Sequence, residues 1–419
     1  MTKVSDVVAP YCVQQIANEK TRPVVPLLEV IELNPRKFSN PPTDDEPVSF
    51  VPMKAVEEES GYLDPSEVRP WSEVRKGYTP FEEGDVIFAK ITPCMENGKY
   101  ALAQKLIGGR AAGSTEFHVL RPKPSLDSKY LLYYLLRIEL RQSARQSMRG
   151  AAGQLRVPPI FFEGLSIPLP SLDEQRRIVA EIEEQLSRLE AGVAALKRVQ
   201  ANLKRYRTTA LRSVFTGGSA GNDLPSGWRW STLGEQFHIG VGATPSRKEP
   251  AYWGGSIRWV SSGEVQFCRI RETSEHITDQ GLANSSTRIN PRGSVLLAMI
   301  GQGRTRGQAA ILEIEAANNQ NCAAIWVGES ETPPEFIYYW LMSEYEATRQ
   351  VGSGNNQQAL NKSLVQALPI PWPPLAEQHK IVTEIERRLS VVEETETQVH
   401  VDLARAERLR ASVLSMAFQ

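Results

Sequence analysis

The sequence predicts an α+β fold: two tandem globular α+β domains separated by two long helices that form an antiparallel coiled coil, with an approximate two-fold relation between the halves. Three observations carry this expectation. PLPSLDEQRRIVAEIEEQLS from Pro168 recurs 203 residues later as PWPPLAEQHKIVTEIERRLS from Pro371, with 12 of 20 positions identical. In each half, short β-like runs come before a short helical stretch. After each Pro-rich strand, apolar residues return at steps of three and four, the spacing of a coiled-coil seam.

Taken in order, residues 1–25 lack clear patterning and read as an N-terminal extension. The first domain, 26–170, carries the strand-like runs VSFVPMKAV from Val48, GDVIFAK from Gly84 and GSTEFHVL from Gly113, with a turn at Asn97-Gly98. A helix is expected from Ser128 to about Arg149, then a Gly/Gln-rich loop and a Pro-bounded strand. The helical region 171–216 places Ile178, Ile182, Leu186, Leu189, Val193, Leu196, Val199, Leu203 and Tyr206 on one stripe, 3.5 residues per step on average. Residues 217–223 form a linker.

The second domain, 224–373, repeats the pattern. IRWVSSGEV from Ile257 and GSVLLAM from Gly293 align at an offset of 209, and NQNCAAIW from Asn319 and FIYYWLM from Phe336 at 206. Here the helix is expected from Thr332 to about Gln350. The second helical region, 374–419, puts Ile381, Ile385, Leu389, Val392, Val399 and Leu403 on the equivalent stripe, with Glu396 interrupting it. About 40 helical residues make a rod of roughly 60 Å. Such a stripe needs burial, either against the other rod or against its own domain.

Composition narrows the function classes. With 48 basic and 49 acidic residues the net charge is −1, so any nucleic-acid binding must rest on local charge. Cys12, Cys94, Cys268 and Cys322 are scattered without CxxC pairs or histidines at ligand spacing, which indicates neither a disulfide framework nor a metal site. No signal peptide or apolar run of membrane-spanning length is seen, so the expectation is a cytoplasmic protein without a membrane partner. No phosphate loop, GxGxxG or [DN]PP[YF] motif occurs. No catalytic residue is assigned.

The suggestive side chains are basic and polar. Arg137, Arg141, Arg145 and Arg149 recur every fourth residue and on one helix would form a guanidinium ridge suited to phosphate. The same spacing also suits a solvated face that pairs with acids of a neighbouring loop. In the second half, the loop from Gly301 to Gln308 offers Gln302, Arg304 and Arg306 among glycines, either as readers of base edges or as a flexible turn. Its first-half counterpart runs from Lys90 to Lys99.

These residues and the repeated motif together resemble the specificity subunit of type I restriction-modification systems. The motif EQ-x-x-I-V-x-x-I-E of that family is matched by Glu174, Gln175, Ile178, Val179, Ile182 and Glu183, and again by Glu377, Gln378, Ile381, Val382, Ile385 and Glu386. LPSGWRWSTLGE from Leu224 and GATPSRKEPAYWGGSIRWVSSGEV from Gly242 open the second domain in the family manner; the first domain lacks that opening. The resemblance implies a non-catalytic chain with two target recognition domains, each reading one half of a bipartite site on double-stranded DNA. It implies that the helical rod fixes the spacer and docks methyltransferase subunits, two by expectation, with restriction/translocase subunits completing the complex. No cofactor is expected in this chain; S-adenosylmethionine, ATP and Mg²⁺ belong to the partner subunits.

Overall fold

The computed structural model describes residues 22–151, 153–215, 224–301, 303–350 and 359–419. Most of the N-terminal extension with Cys12, the linker 217–223, Gln302 and the Gly/Gln-rich segment 351–358 lie outside the described residues. The chain divides into two units, residues 1–196 with 401–419, and residues 197–400.

In the first unit, β1 (Val24–Pro26), α1 (Leu27–Val30) and β2 (Ile31–Leu33) lead into β3 (Pro47–Val51), β4 (Val68–Pro70), α2 (Trp71–Val74), β5 (Thr79–Glu82), β6 (Val86–Ala89), β7 (Tyr100–Leu102), β8 (Arg110–Gly113) and β9 (Phe117–Pro122). One sheet has the order β2-β9-β6-β7 and a second the order β4-β3-β8-β5. Then come α3 (Ser128–Leu135), α4 (Ile138–Ser147), α5 (Ile160–Glu163) and β10 (Ser166–Pro168), which pairs with β1, and the 44-residue helix α6 (Leu172–Phe215).

The second unit repeats this plan. It runs through β11 (Arg229–Thr232), α7 (Leu233–Gln236), β12 (Ile239–Val241), β13 (Trp253–Val260), β14 (Cys268–Ile270), β15 (Glu275–Ile277), α8 (Asp279–Ala283), β16 (Val295–Ala298), β17 (Ala309–Leu312), β18 (Ala317–Asn318) and β19 (Cys322–Ile325). After them come α9 (Pro334–Ser343), α10 (Tyr345–Gln350), α11 (Lys362–Gln366), β20 (Pro369–Trp372) and the 42-residue α12 (Leu375–Met416). Its larger sheet has the order β12-β19-β16-β17-β14, its smaller one β15-β13-β18, and β20 pairs with β11. The α+β class and the two long helices are as the sequence predicts.

Two expectations need correction. The first is the strand alignment: Val51 pairs with Gly113 as Val260 pairs with Asn318, and Val86 faces Leu120 as Val295 faces Ile325. The true offset in this stretch is therefore 205, one residue less than expected. All four residues of β19 are buried, so no polar alternation marks the register, and a slip of one exchanges every side chain between faces. The second concerns the helix expected over 128–149, which is broken. Asp127 caps α3 by accepting from the Lys129 and Tyr130 amides, and α3 ends at Leu135. There Arg137 turns extended, lays its guanidinium 4.3 Å from the Tyr134 ring centre and donates from Nε to the Tyr134 carbonyl at 3.2 Å. A carbonyl that would otherwise end the helix unpaired is thereby satisfied. The second-half helix likewise divides into α9 and α10, and begins at Pro334 instead of Thr332.

The repeated Gln of the motif has a structural task. Gln175, fully buried at the start of α6, donates from Nε2 to the Pro170 and Ser125 carbonyls at 2.9 and 3.0 Å. Its Oε1 accepts the Asp127 amide at 2.8 Å. One amide side chain thus locks the Pro-rich strand, the α3 cap and the long helix together, and every group is satisfied.

Each unit is also closed by the far end of a long helix. In the first unit Ile178, Val179, Ile182 and Leu186 of α6 share a core with Val413 and Leu414 of α12 and with Ala417 and Phe418 just after it. The Phe418 ring sits 4.8 Å from Tyr130 and 5.5 Å from Tyr134. In the second unit Leu211 and Phe215 of α6 join Ile381, Ile385 and Leu389 of α12, with Phe215 5.5 Å from Phe336. The segments run antiparallel in each case. Arg207 faces Glu393 at 4.0 Å while Arg388 donates to Ser213 at 3.0 Å, and Arg22 touches both Glu174 and the Ala417 carbonyl. Along the stripes, Val392 and Val399 are buried, and Leu189, Val193, Leu196, Leu203 and Leu403 are half-buried. Val199 and Tyr206 are exposed and leave the expected seam; Ala210 and Leu211 are buried further along α6.

Candidate nucleic-acid interface

The helix break divides the four arginines. Arg137 is held on Tyr134 and, 5.4 Å away, on the Phe418 ring. Arg141 pairs with Glu59 and Arg145 with Glu96, the latter at 2.8 Å. Arg149 lies beyond the end of α4, where its backbone amide and carbonyl bond those of Arg156, both at 2.9 Å. The single ridge does not form, and its two helical members are matched by loop acids. Lys99 is similarly engaged, with its ammonium donating to the Met53 and Val56 carbonyls at 3.4 and 3.0 Å.

Lys90 and Arg149 meet elsewhere. Together with Arg36, Arg75, Arg156 and Tyr78 they line an open cleft of about 650 Å³. Arg156 is forked onto Glu116, whose carboxyl it holds below the usual range, and Arg75 pairs with Asp44 at 2.8 Å. Among the described residues, Arg36, Lys90 and Arg149 have no carboxylate within ion-pair distance, so the cleft is net positive in a chain of net charge −1. Sequence reading missed Arg36, Arg75, Arg156 and Tyr78, which sit in loops and at strand ends with no common period.

The rear of this cleft is built on His118, which is 3 % exposed. The Asn34 Oδ1 accepts the Val119 amide at 3.0 Å, which turns its Nδ2 toward His118 Nδ1 at 3.1 Å. The ring is then assigned as the neutral form with Nε2–H donating to the Val157 carbonyl at 2.9 Å. Burial, with a smaller push from the Lys90 charge, holds its pKa below the ordinary value despite that hydrogen bond. The unfolded chain therefore takes up a proton first as pH falls through about 6.5, so stability is lost on acidification by at most about 1.4 kcal/mol per pH unit for this one group. Chemical unfolding of the native chain and of His118→Gln should differ most near pH 7.5, with the gap narrowing by pH 5.5.

The second unit treats the same positions differently. Lys90, whose carbonyl accepts the Val157 amide, is matched by Met299, whose carbonyl accepts the Leu360 amide. At the start of α10, Tyr345 meets Phe267 edge-on at 5.3 Å. The glycine-rich loop is fastened to α10, so it is no slack turn. Tyr345 donates to the Arg304 carbonyl at 2.6 Å, Arg306 Nη2 to the Arg349 carbonyl at 2.6 Å, and Arg349 Nη1 to the Arg306 carbonyl at 3.1 Å. Gly307, at φ +86°, lies where a Cβ would press on Arg349 and Tyr345. Arg306 is thus spent on the scaffold, whereas the exposed Arg304 guanidinium has no partner among the described residues. Gln302 is outside the described residues.

Two copies of one α+β plan, each joined to a long helix and with Lys90 of one matched by Met299 of the other, define a duplicated recognition scaffold. The description "Type I restriction modification DNA specificity domain" matches residues 20–203 and 225–399, and the chain belongs to that family. It is similar to the EcoEI and EcoAI type I restriction enzyme specificity subunits of Escherichia coli. Identity is 42% over 157 residues and 39% over 162, covering 37% and 38% of this chain and 26% and 27% of those proteins. The aligned stretches thus span about a quarter of the length of those relatives. The HsdS subunit from Thermoanaerobacter tengcongensis shares the fold, with a TM-score of 0.69 at 23% identity over 96% of this chain and 97% of that one. A chain from a structure titled for complex assembly and conformational transition of the type I R-M system does so at 0.73 and 22% identity, covering 96% and 99%.

Proposed function

We propose that this chain is the DNA-recognition subunit of a type I restriction-modification complex and performs no catalysis itself. The target recognition domains are residues 26–170 and 224–373, each reading one half of a bipartite duplex site. The helical regions 171–216 and 374–419 fix the spacer and dock methyltransferase subunits; restriction/translocase subunits join that assembly. S-adenosylmethionine, ATP and Mg²⁺ serve the partner subunits, and the complex works in the cytoplasm, where its DNA is. None of the described helices is long and apolar enough to cross a membrane.

The observation that carries this reading is the divergence of the two units at a backbone position that keeps the same main-chain hydrogen bond: Lys90 in the first unit against Met299 in the second. A duplicated scaffold kept in shape but altered in its polar surface is what two different half-sites require. Phosphate contacts from the basic cleft of the first unit position the duplex, and base contacts specify it. The test is an exchange of residues 26–164 for the matching segment of a relative, followed by mapping of the methylated sites. One half of the recognised sequence should change while the other stays; a change in both halves would overturn the reading.

A further inference from the structure

Arg156 is held on the wall of the basic cleft in a way that suits a base better than a phosphate. Its Nε and Nη2 donate to the Glu116 carboxylate at 2.9 and 2.8 Å, and its Nη1 donates to the Gln154 carbonyl at 3.2 Å. A guanidinium has five N–H donors, so one is left on each terminal nitrogen, the pair that a bidentate contact with O6 and N7 of guanine requires. The side chain is 42 % exposed and lines the cleft. Glu116 also offsets its charge. A phosphate arriving here would meet a carboxylate beside the cation, whereas the uncharged edge of a base meets a guanidinium whose plane is already set.

Main-chain bonds fix the pair in place. The Arg156 amide and carbonyl bond those of Arg149, the Val157 amide donates to the Lys90 carbonyl, and the Lys90 amide to the Glu116 carbonyl, all at 2.9 Å. The second unit keeps this framework: the Leu360 amide donates to the Met299 carbonyl at 3.1 Å, and the Met299 amide to the Asn321 carbonyl at 2.8 Å. Matched through these bonds, Glu116 corresponds to Asn321 and Arg156 to Ala359. Both members of the ion pair are replaced while the backbone beneath them is kept. The framework therefore forms without the pair, which is left to serve recognition in the first unit alone.

We propose that Arg156 reads a guanine of the first half-site through O6 and N7, with Glu116 as the positioning residue that sets the guanidinium plane. The proposal rests on the function proposed above and adds to it one residue and one base.

The test is a competition titration of the assembled methyltransferase complex against cognate duplexes in which each guanine of the two half-sites is replaced in turn by 7-deazaguanine, which lacks the N7 acceptor. One replacement in the half-site set by residues 26–164 should weaken native binding, and changing that base pair to A·T should weaken it by roughly 5- to 150-fold. The double variant Glu116→Ala, Arg156→Ala removes the fork together with its counter-charge. In it both penalties should vanish at this position and persist at every other guanine. Glu116→Ala alone releases the cation to follow phosphate, so discrimination at the same base pair should narrow and the salt slope steepen by about 1. A first half-site in which no 7-deazaguanine weakens native binding overturns the proposal, whether or not the variants fold. Equal penalties in the native complex and the double variant also overturn it. So does a double variant that weakens cognate and scrambled duplexes alike with a shallower salt slope, which assigns Arg156 to phosphate. If the native complex shows no sequence preference at all, the functional reading falls and takes this residue with it, an outcome seen before any guanine is altered.

Discussion

Replacing Phe418 with alanine is expected to destabilise the first unit by about 3–5 kcal/mol, the cost of emptying a buried aromatic site. The ring is 4 % exposed and stands between Tyr130 and Tyr134, with the Arg137 guanidinium 5.4 Å from its centre. The damage should appear far from the mutation in sequence. Hydrogen exchange should accelerate in peptides from 24–33 and 117–168, and those from 229–241 and 295–325 should keep their protection. Phe215→Ala is the mirror experiment, expected to loosen the second unit through Phe336. Uniform loss across both units in either variant would contradict the assignment of each helix end to one core.

Removing Lys90 and Arg149 together should weaken duplex binding by the assembled complex to a similar degree for cognate and scrambled sequences. It should also reduce the slope of log K against log[salt] by about 1 per lost phosphate contact. The two cations line the cleft without carboxylate partners among the described residues, so they meet phosphate without first breaking an ion pair. Arg141 and Arg145 provide the contrast. Their guanidinium groups are matched by Glu59 and Glu96, and alanine at both positions should leave the salt slope unchanged. A slope that falls for the second pair and not the first would restore the helical ridge as the phosphate surface.

The repeat, the two helical regions and the fold class were legible because they rest on local signals: a 12-of-20 identity, a 3.5-residue period, and strand runs ahead of helices. Strand register in the second unit was not, because Cys322, Ala323, Ala324 and Ile325 are all buried and show no alternation; only the hydrogen-bonded partners place them. The arginine spacing suggested one surface until Arg137 turned back onto Tyr134 and ended α3, an interaction between side chain and backbone that periodicity does not record. The cleft was hidden for another reason. Its cations run from Arg36 to Arg156 and come together only when β2, β6 and β9 pair. Gln175 belongs to the repeated motif, but its task of joining three segments is visible only in their carbonyls and amides.

The placement of Phe418 also sets the order in which the protein is built on the ribosome. The first unit has its strands by Pro168, but its core is completed by residues 413–418, about 250 positions later; at about 5–20 residues per second that is roughly 12–50 seconds of synthesis. The second unit receives Phe215 before any of its own strands exist, and its main core cluster is complete once Leu389 has emerged. The domain made first is therefore finished last, and until residues 413–418 emerge Tyr130 and Tyr134 lack the ring that covers them.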